Sequence, residues 1–415
     1  MHPVVSEPRR AVGGQTEAGA GRLAWLDLLR GIAALVVALH HATYYYTPDL
    51  RAAVLPSWFD PGDYGVLVFF LVSGYIVPAS LERHGQVRGF WISRAMRIYP
   101  LLIIACVLMI LPYLLGVRGL RAGLEAYQPV IAALAHLTML QDLLGVPNVV
   151  NVLWTLSYEM SFYLIVVALF VTGTHRRSAL VAGILAGAAV LVGGVLPMAA
   201  LSGRAGVGPV VAAVAAAMLA AIAAAVSRRP SLVILGGVAG GVLALTLVTT
   251  NGRVGPWQGL IILAVMFTGT ALYRAEHGQV RRDVVAVTAV LVLGGAIVAG
   301  RRHAEVAMSA AQAADFQLYW TGSVLLAAAT FAAGWALRRH RIPRWATRLG
   351  AISFSVYLLH PVLLMLSDQL GGTPDDDSPL RLAIFVVVLL AVSTLTHRYI
   401  ELPFQRLGRT LAGRT

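Results

Sequence analysis

Leu23-Ala24-Trp25-Leu26-Asp27-Leu28-Leu29-Arg30-Gly31-Ile32-Ala33-Ala34-Leu35-Val36-Val37-Ala38-Leu39-His40-His41-Ala42-Thr43 reads as one apolar helix with Asp27, Arg30, His40 and His41 inside it. About 20 such residues cross the ~30 Å hydrocarbon core of a bilayer. An ionisable group at membrane depth is costly and marks a functional site by default. At 3.6 residues per turn, the steps from Arg30 to His41 make about three turns, so the two share a face ~16 Å apart along the axis. His40 falls on a flank, roughly 80° away from Arg30. Asp27 precedes Arg30 by one turn, a spacing at which an ion pair can form. One stripe of the helix therefore carries acid, guanidinium and imidazole at different depths.

The rest of the chain has the same character. Of its 415 residues 58% are hydrophobic and only 12% charged, and the mean hydropathy is +0.76. Such a chain is an all-α, polytopic transmembrane bundle, and a soluble fold is excluded. The net charge of +13 does not point to nucleic acid, because the basic residues sit in short clusters between apolar runs, as the positive-inside rule expects of an inner-membrane protein. With Cys106 as the single cysteine, an internal disulfide or a cysteine-based metal site is excluded. Residues 1–22 lack a signal-peptide cleavage pattern and read as a disordered cytoplasmic tail, ahead of a membrane domain over 23–405 and a cytoplasmic tail over 406–415.

Threading the basic clusters to one side sets the topology. The first span exits the cytoplasm, 44–63 forms an outer loop, 64–81 returns, and Arg83, Arg88, Arg94 and Arg97 lie inside. The run 98–116 exits again. Residues 118–149 are interrupted by His136, Gln141 and Asp142, and orientation works only if this stretch lies at the outer interface or re-enters. Further spans are expected at about 152–171, 178–200, 207–227, 231–250, 256–273, 284–300, 316–337, 349–369 and 381–398, with Arg301 and Arg302 an outward exception. The expected total is 10 to 13 membrane segments, both termini cytoplasmic. The middle of the chain is nearly devoid of polar residues, and Gly236, Gly237, Gly240 and Gly241 give spacings that let helices approach closely. The polar content lies in the first ~170 residues and after about Arg341, so a site is expected where the two ends of the chain meet.

Four further runs carry chemical information. Ser73-Gly74, in mid-span, can kink its helix or admit a ligand close to backbone, although a serine bonded back to its own helix is the plainer reading. Arg94 and Arg97 are one turn apart, so their forks can converge on a phosphate-bearing ligand; the plainer alternative is positive-inside anchoring. In Trp154-Thr155-Leu156-Ser157-Tyr158-Glu159-Met160-Ser161-Phe162-Tyr163 the threading puts Glu159 in the outer third of its span, at the depth of His41. A carboxylate beside an imidazole raises its basicity and fixes its tautomer. Alternatively Glu159 neutralises a buried arginine. His360, directly before Pro361, is either a structural hydrogen-bonding residue or part of the site.

Taken in order, several motifs resemble the acyltransferase-3 family of membrane acyltransferases. They are Leu26-Asp27-x-Leu-Arg30-Gly31-Ile32-Ala33-Ala34 with His41, Phe69-Phe70-x-x-Ser73-Gly74, Arg94-x-x-Arg97-Ile-x-Pro100, Trp154-x-Leu-x-x-Glu159-x-x-Phe162-Tyr163, Ser353-x-Ser355-x-Tyr357-Leu358-x-His360-x-Pro361 and Glu401-x-Pro403. The resemblance implies transfer of an acyl group, commonly acetyl, from cytoplasmic acyl-CoA to a hydroxyl of a glycan, glycolipid or glycosylated metabolite. It also implies that Arg30 and His41 are the essential pair, and it places the family's paired arginines at Arg94 and Arg97. Some members carry a C-terminal SGNH domain; the expectation here is a stand-alone form whose membrane domain meets the acceptor itself.

On that reading His41, backed by Glu159, is the general base for the attacking alcohol, and an acyl-histidine intermediate is the runner-up mechanism. Arg94 and Arg97 hold CoA phosphates and Arg30 the pantetheine arm or pyrophosphate. Asp27, Ser73, Trp154, Tyr163, Tyr357 and His360 are the further residues expected to line the site. No metal and no permanently bound cofactor is expected; acyl-CoA is a co-substrate, and the bilayer is the setting. The outer loop carries Tyr44, Tyr45, Tyr46, Trp58 and Phe59, aromatic faces able to stack on sugars, while Asp375-Asp376-Asp377 reads as a solvated turn. The rival class is a proton-coupled secondary transporter. It is disfavoured because the polar residues do not recur in matching halves and no pair of interrupted helices repeats; a non-catalytic sensor is a third possibility.

Overall fold

A computed structural model describes residues 24–192, 196–252, 255–374 and 376–413. The expected N-terminal tail and Asp375 lie outside the described residues. Among those described the chain is helical, with no strand. The long helices are α1 (Ala24–Tyr46), α2 (Pro61–His84), α3 (Val87–Leu114), α4 (Trp154–Val171), α5 (Ser178–Val192), α6 (Val207–Ala225), α7 (Pro230–Thr250), α8 (Pro256–Glu276), α9 (Arg282–Ala307), α10 (Ala310–Ala336), α11 (Ser353–Gly371) and α12 (Pro379–Thr396). Eleven helices are long and apolar enough to cross a membrane, or twelve if the pair Arg344–Ala351 and α11, bent by 60°, is one span. The polytopic helical bundle expected from the sequence is the fold observed.

Local chemistry explains the element boundaries that bear on the site. Helix α2 starts where the Asp60 carboxylate accepts the Asp63 N–H at 2.8 Å, with Pro61 in the first turn. It stops at Gly85, whose φ of 66° is a left-handed conformation that glycine adopts without a Cβ penalty. Helices α1 and α2 run antiparallel, with Gly62 against the His40 ring and Gly65 against Val37 and the Ala33 carbonyl. A methyl built on Gly74 would overlap the Met266 carbonyl, and one on Gly350 would overlap the Asp27 main chain. These two close approaches lock α8 against α2 and the Arg344–Ala351 helix against the start of α1.

Successive spans alternate in direction, which gives the bundle two unlike ends. One carries Arg94, Arg97, Arg176, Arg177, Arg228, Arg229, Arg274 and Arg338 and is called here the arginine end. The other carries His40, His41 and the short helix Pro48–Val54 and is called the histidine end. The ambiguous stretch 118–149 does not cross. After α3 it forms a short helix Pro129–Leu137 and then a nearly continuous buried segment, from Met139 to Leu153, that returns to α4. Non-helical backbone at that depth must be satisfied by protein. Asn251 Nδ2 donates to the Leu143 carbonyl at 2.8 Å and Ser202 Oγ to the Leu144 carbonyl at 2.9 Å. Gln141 Nε2 donates to Asn148 and to the Leu153 carbonyl, and Asn148 in turn donates to Asp142.

Candidate active site

Two chambers flank the paired histidines and tyrosine of α1 and α11. The first, about 80 Å³, opens among α1, α2, α3, α4 and α11, and its wall carries Arg30, Arg94, Arg97 and Glu159. Arg94 is 7% exposed. One of its terminal nitrogens donates to Ser80 Oγ at 3.3 Å, its fork lies over the Phe90 and Tyr163 rings, and its Nε has no partner. The Tyr163 hydroxyl donates a short bond to Glu159. Three guanidiniums thus face one carboxylate across a space walled otherwise by Phe69, Phe70, Ile98 and Phe354. Arg30 also feels the Asp27 and Glu401 carboxylates beyond the wall, so the chamber is lined by three cations and one anion in otherwise apolar surroundings.

The second chamber, about 390 Å³, lies toward the histidine end, with His41, Tyr45, Asn151, Arg118 and Arg121 on its wall. Here the hydrogen bonds define a tautomer. His360 Nδ1 is 3.1 Å from the Val356 carbonyl, which only accepts, so Nδ1 carries the proton and His360 Nε2 offers a lone pair. That lone pair is 3.1 Å from His41 Nδ1, which is also 3.1 Å from the Val37 carbonyl. Both neighbours accept, so His41 is protonated at Nδ1. Its Nε2 is then left with a free lone pair, the form a general base requires. The two rings stack at 5.1 Å between centroids, and His360 is fully buried.

Tyr357 separates the chambers. Its hydroxyl is 3.0 Å from Thr155 Oγ1 and donates toward the Val152 carbonyl at 3.3 Å, while its ring meets Phe69 on one side and His360 on the other. This tie also shows why the expected His41–Glu159 pair does not form. Thr155 sits level with Tyr357. Glu159 lies one turn further along α4, about 6 Å toward the arginine end, and His360 about 4.5 Å from Tyr357 the opposite way. Glu159 and His41 are thus separated by ~10 Å in depth. Helix α4 starts at Trp154, within a few residues of the expected span, and Glu159 lies more than a turn inside that start. Glu159 faces the guanidiniums instead, and His360 takes the place beside His41.

Of the other expected residues, Ser73, Tyr163 and Tyr357 line the first chamber. Asp27 does not; it lies one turn further out, with its main chain against Gly350. Trp154 packs edge-on against Tyr158 and lines neither chamber. Thr155, Arg118 and Arg121 were not anticipated. Thr155 lies inside the quoted Trp154–Tyr163 run at a position given no role, and the two arginines sit in the stretch whose path was left open. Glu401 of the closing motif lies in a π-helical turn, His397–Glu401, where it accepts the Ser355 hydroxyl at 2.5 Å; Thr396 donates to Ser355 at 2.9 Å. Among the described residues no three His, Cys, Asp or Glu side chains are grouped to hold a metal ion.

A family profile described as an acyltransferase domain, acyltransferase 3, matches residues 23–398. Nodulation protein 10 of Rhizobium leguminosarum is 30% identical over 169 residues, 37% of this chain and 46% of that protein. The peptidoglycan O-acetyltransferase OatA of Listeria monocytogenes is 28% identical over 34% of this chain and 23% of its own length. A putative peptidoglycan O-acetyltransferase of Bacillus subtilis, YrhL, is 28% identical over 39% of this chain and 26% of its own. The matched stretches therefore span less than half of each of these relatives. No solved structure matches.

Proposed function

This chain belongs to the acyltransferase-3 family, and from that premise we propose that it is a membrane-embedded O-acyltransferase moving an acyl group, acetyl by preference, from cytoplasmic acyl-CoA to a hydroxyl of a glycan-bearing acceptor. The observation that carries the donor half is the first chamber: three guanidiniums and one carboxylate, with a buried Arg94 Nε lacking a partner. The donor is an anion with phosphates at one end and a thioester at the other. In this reading the arginine end is cytoplasmic, in keeping with its basic clusters. Arg94 and Arg97 hold phosphates, and Arg30 meets the arm that reaches inward. The relatives named as peptidoglycan O-acetyltransferases support acetyl as the group and a glycan as the acceptor.

The acceptor hydroxyl lies against His41 Nε2 in the second chamber. His41 takes its proton as the oxygen attacks the thioester carbonyl. The tetrahedral intermediate collapses to the ester, the carbon–sulfur bond breaks, and the leaving thiolate receives the proton from His41 Nε2–H. Atoms and charge balance with no added oxidant, reductant or metal. Loss of a general base costs about 10²- to 10⁴-fold in rate. The roughly 16 Å from Arg30 to His41 is within the span of an extended pantetheine arm, provided that the arm passes beside Tyr357. A carrier that only translocates would need none of this division into an anion chamber and an imidazole chamber. The test is transfer of labelled acetyl from acetyl-CoA to an acceptor panel by the purified protein. His41→Ala should slow transfer about 10²- to 10⁴-fold while acetyl-CoA binding persists, and His41→Ala retaining full transfer would sink the assignment.

A further inference from the structure

Attack on a thioester puts negative charge on its carbonyl oxygen, and depth in the bundle limits which side chain can meet it. Arg30 lies ~16 Å from His41 along α1, and Arg94 and Arg97 belong to the arginine end. Toward that same end, Ser73 lies about 6 Å past Phe69 on α2 and Tyr163 about 12 Å past Thr155 on α4. Among the described residues, Thr155 and Tyr357 are therefore the hydrogen-bond donors of the first chamber nearest the histidines. Thr155 Oγ1 donates to the Val152 carbonyl at 3.0 Å. Its one proton is thereby committed, so Tyr357 is the donor in the 3.0 Å contact between the two hydroxyls. The phenol proton is shared between Thr155 Oγ1 and the Val152 carbonyl, 3.3 Å away. Both contacts are longer than the usual O–H···O separation of about 2.7–2.8 Å, so this proton is loosely held. A wall that only sealed would do as well with a phenyl ring, as Phe69 and Phe354 do beside it, and a buried hydroxyl is costly unless well bonded.

We propose that Tyr357 is a catalytic residue whose hydroxyl gives a hydrogen bond to the thioester carbonyl oxygen. The inference rests on the acyltransferase reading above and adds the group that meets the developing charge. The acyl group arrives from the arginine side beside Tyr357, and the acceptor oxygen arrives from the His41 side. The carbon under attack therefore lies between two rings that both neighbour His360, Tyr357 at 6.0 Å and His41 at 5.1 Å between centroids. As the acceptor oxygen bonds to that carbon, the carbon–oxygen π pair moves onto the carbonyl oxygen, and the Tyr357 O–H turned toward it shortens its bond. The phenol keeps its proton throughout. On collapse the pair returns, the carbon–sulfur bond breaks, and the O–H swings back to Thr155. A donor fixed in place counts most where water is excluded, and Tyr357 is 7% exposed. Thr155 is the positioning residue, holding the phenol at the passage until the acyl group arrives.

The experiment needs no acceptor. Acetyl-CoA carrying a heavy isotope at the acetyl carbonyl is bound to the full chain in nanodiscs, and its carbonyl stretch is read by difference infrared spectroscopy. Wild type, Tyr357→Phe and Thr155→Val are compared, with acetyl-CoA affinity measured on the same samples. The stretch should lie below its value in water for wild type and for Thr155→Val, and should rise in Tyr357→Phe while affinity holds. A tie that only joins α11 to the 151–153 turn is broken by either substitution, so equal stretches in the two variants would overturn the proposal. If Tyr357→Phe fails to fold, difluorotyrosine at position 357, a stronger donor of nearly the same size, should lower the stretch further; an unmoved stretch would again overturn it. In transfer assays kcat should fall about 10²- to 10³-fold in Tyr357→Phe and less than about tenfold in Thr155→Val. Full kcat in Tyr357→Phe would sink this role and leave the acyltransferase reading standing, whereas a folded wild type that binds no acetyl-CoA would defeat both.

Discussion

Replacing His360 by leucine removes the lone pair that His41 Nδ1–H faces at 3.1 Å, and leaves that proton to the Val37 carbonyl alone. A neutral hydrogen bond of this kind contributes about 0.5–1.5 kcal/mol net. At ~1.4 kcal/mol per factor of ten, the ratio of the Nδ1–H to the Nε2–H tautomer of His41 should fall roughly 2- to 12-fold. Because His360 touches no substrate in this account, kcat for acyl transfer should fall by up to about that factor while KM for acetyl-CoA holds. His360→Gln, whose amide oxygen is again an acceptor, should recover part of the loss. His41→Ala should cost about 10²- to 10⁴-fold. The assay is steady-state transfer of labelled acetyl across a pH series. If His360→Leu cost as much as His41→Ala, His360 would be a base in its own right. If it cost nothing, the tautomer argument would be wrong.

Other consequences follow from the same geometry. Glu159→Gln should leave the pH dependence of kcat unchanged, because Glu159 lies with the guanidiniums and not beside His41; a shifted pH profile would restore the His41–Glu159 pair. Gly74→Ala forces a methyl against the Met266 carbonyl and should destabilise the bundle by about 1–3 kcal/mol, read as a lower Tm in detergent; an unchanged Tm would mean that α2 and α8 are free to part. His136, in the non-spanning helix, donates from Nδ1 to the Ala132 carbonyl at 2.8 Å and accepts the Val149 N–H at Nε2, 3.1 Å away, and burial holds its pKa below the ordinary 6.5. Just below pH 6.5 the unfolded chain binds more protons at this site than the folded one, so stability rises with pH there. The contribution is complete above about 6.5 and is lost as pH falls toward the depressed folded pKa. Thermal unfolding across pH 7.5 to 5 should therefore show a shallower slope in His136→Gln than in wild type, and equal slopes would refute this.

The spans were legible because each is written locally. Runs of apolar residues bounded by Arg pairs gave α5 through α12 to within a few residues at most ends, and the interruptions at His136, Gln141 and Asp142 marked the stretch that does not cross. The face shared by Arg30 and His41 followed from helical period alone. What was hidden depends on tertiary depth. His41 meets His360 319 residues away, and nothing in either run states that they lie at one level. Glu159 was misplaced because its level against His41 is fixed by the contact of Thr155 on α4 with Tyr357 on α11, 202 residues apart, which neither run states. Trp154 carries a family motif position yet packs on Tyr158, so motif membership alone did not say which side chains face the chambers.

The central claim is that the arginine chamber receives an acyl-CoA, and binding tests it before any acceptor is known. Calorimetric titration of acetyl-CoA into purified wild type and the Arg94→Ala/Arg97→Ala double variant makes the comparison. Each charge-assisted hydrogen bond contributes about 1.5–3 kcal/mol, so the variant should bind at least a hundredfold more weakly while keeping the wild-type Tm in detergent. Micromolar binding by wild type, lost in the variant, is the predicted result. A well-folded wild type that fails to bind acetyl-CoA, or a double variant that binds it equally well, would contradict the account.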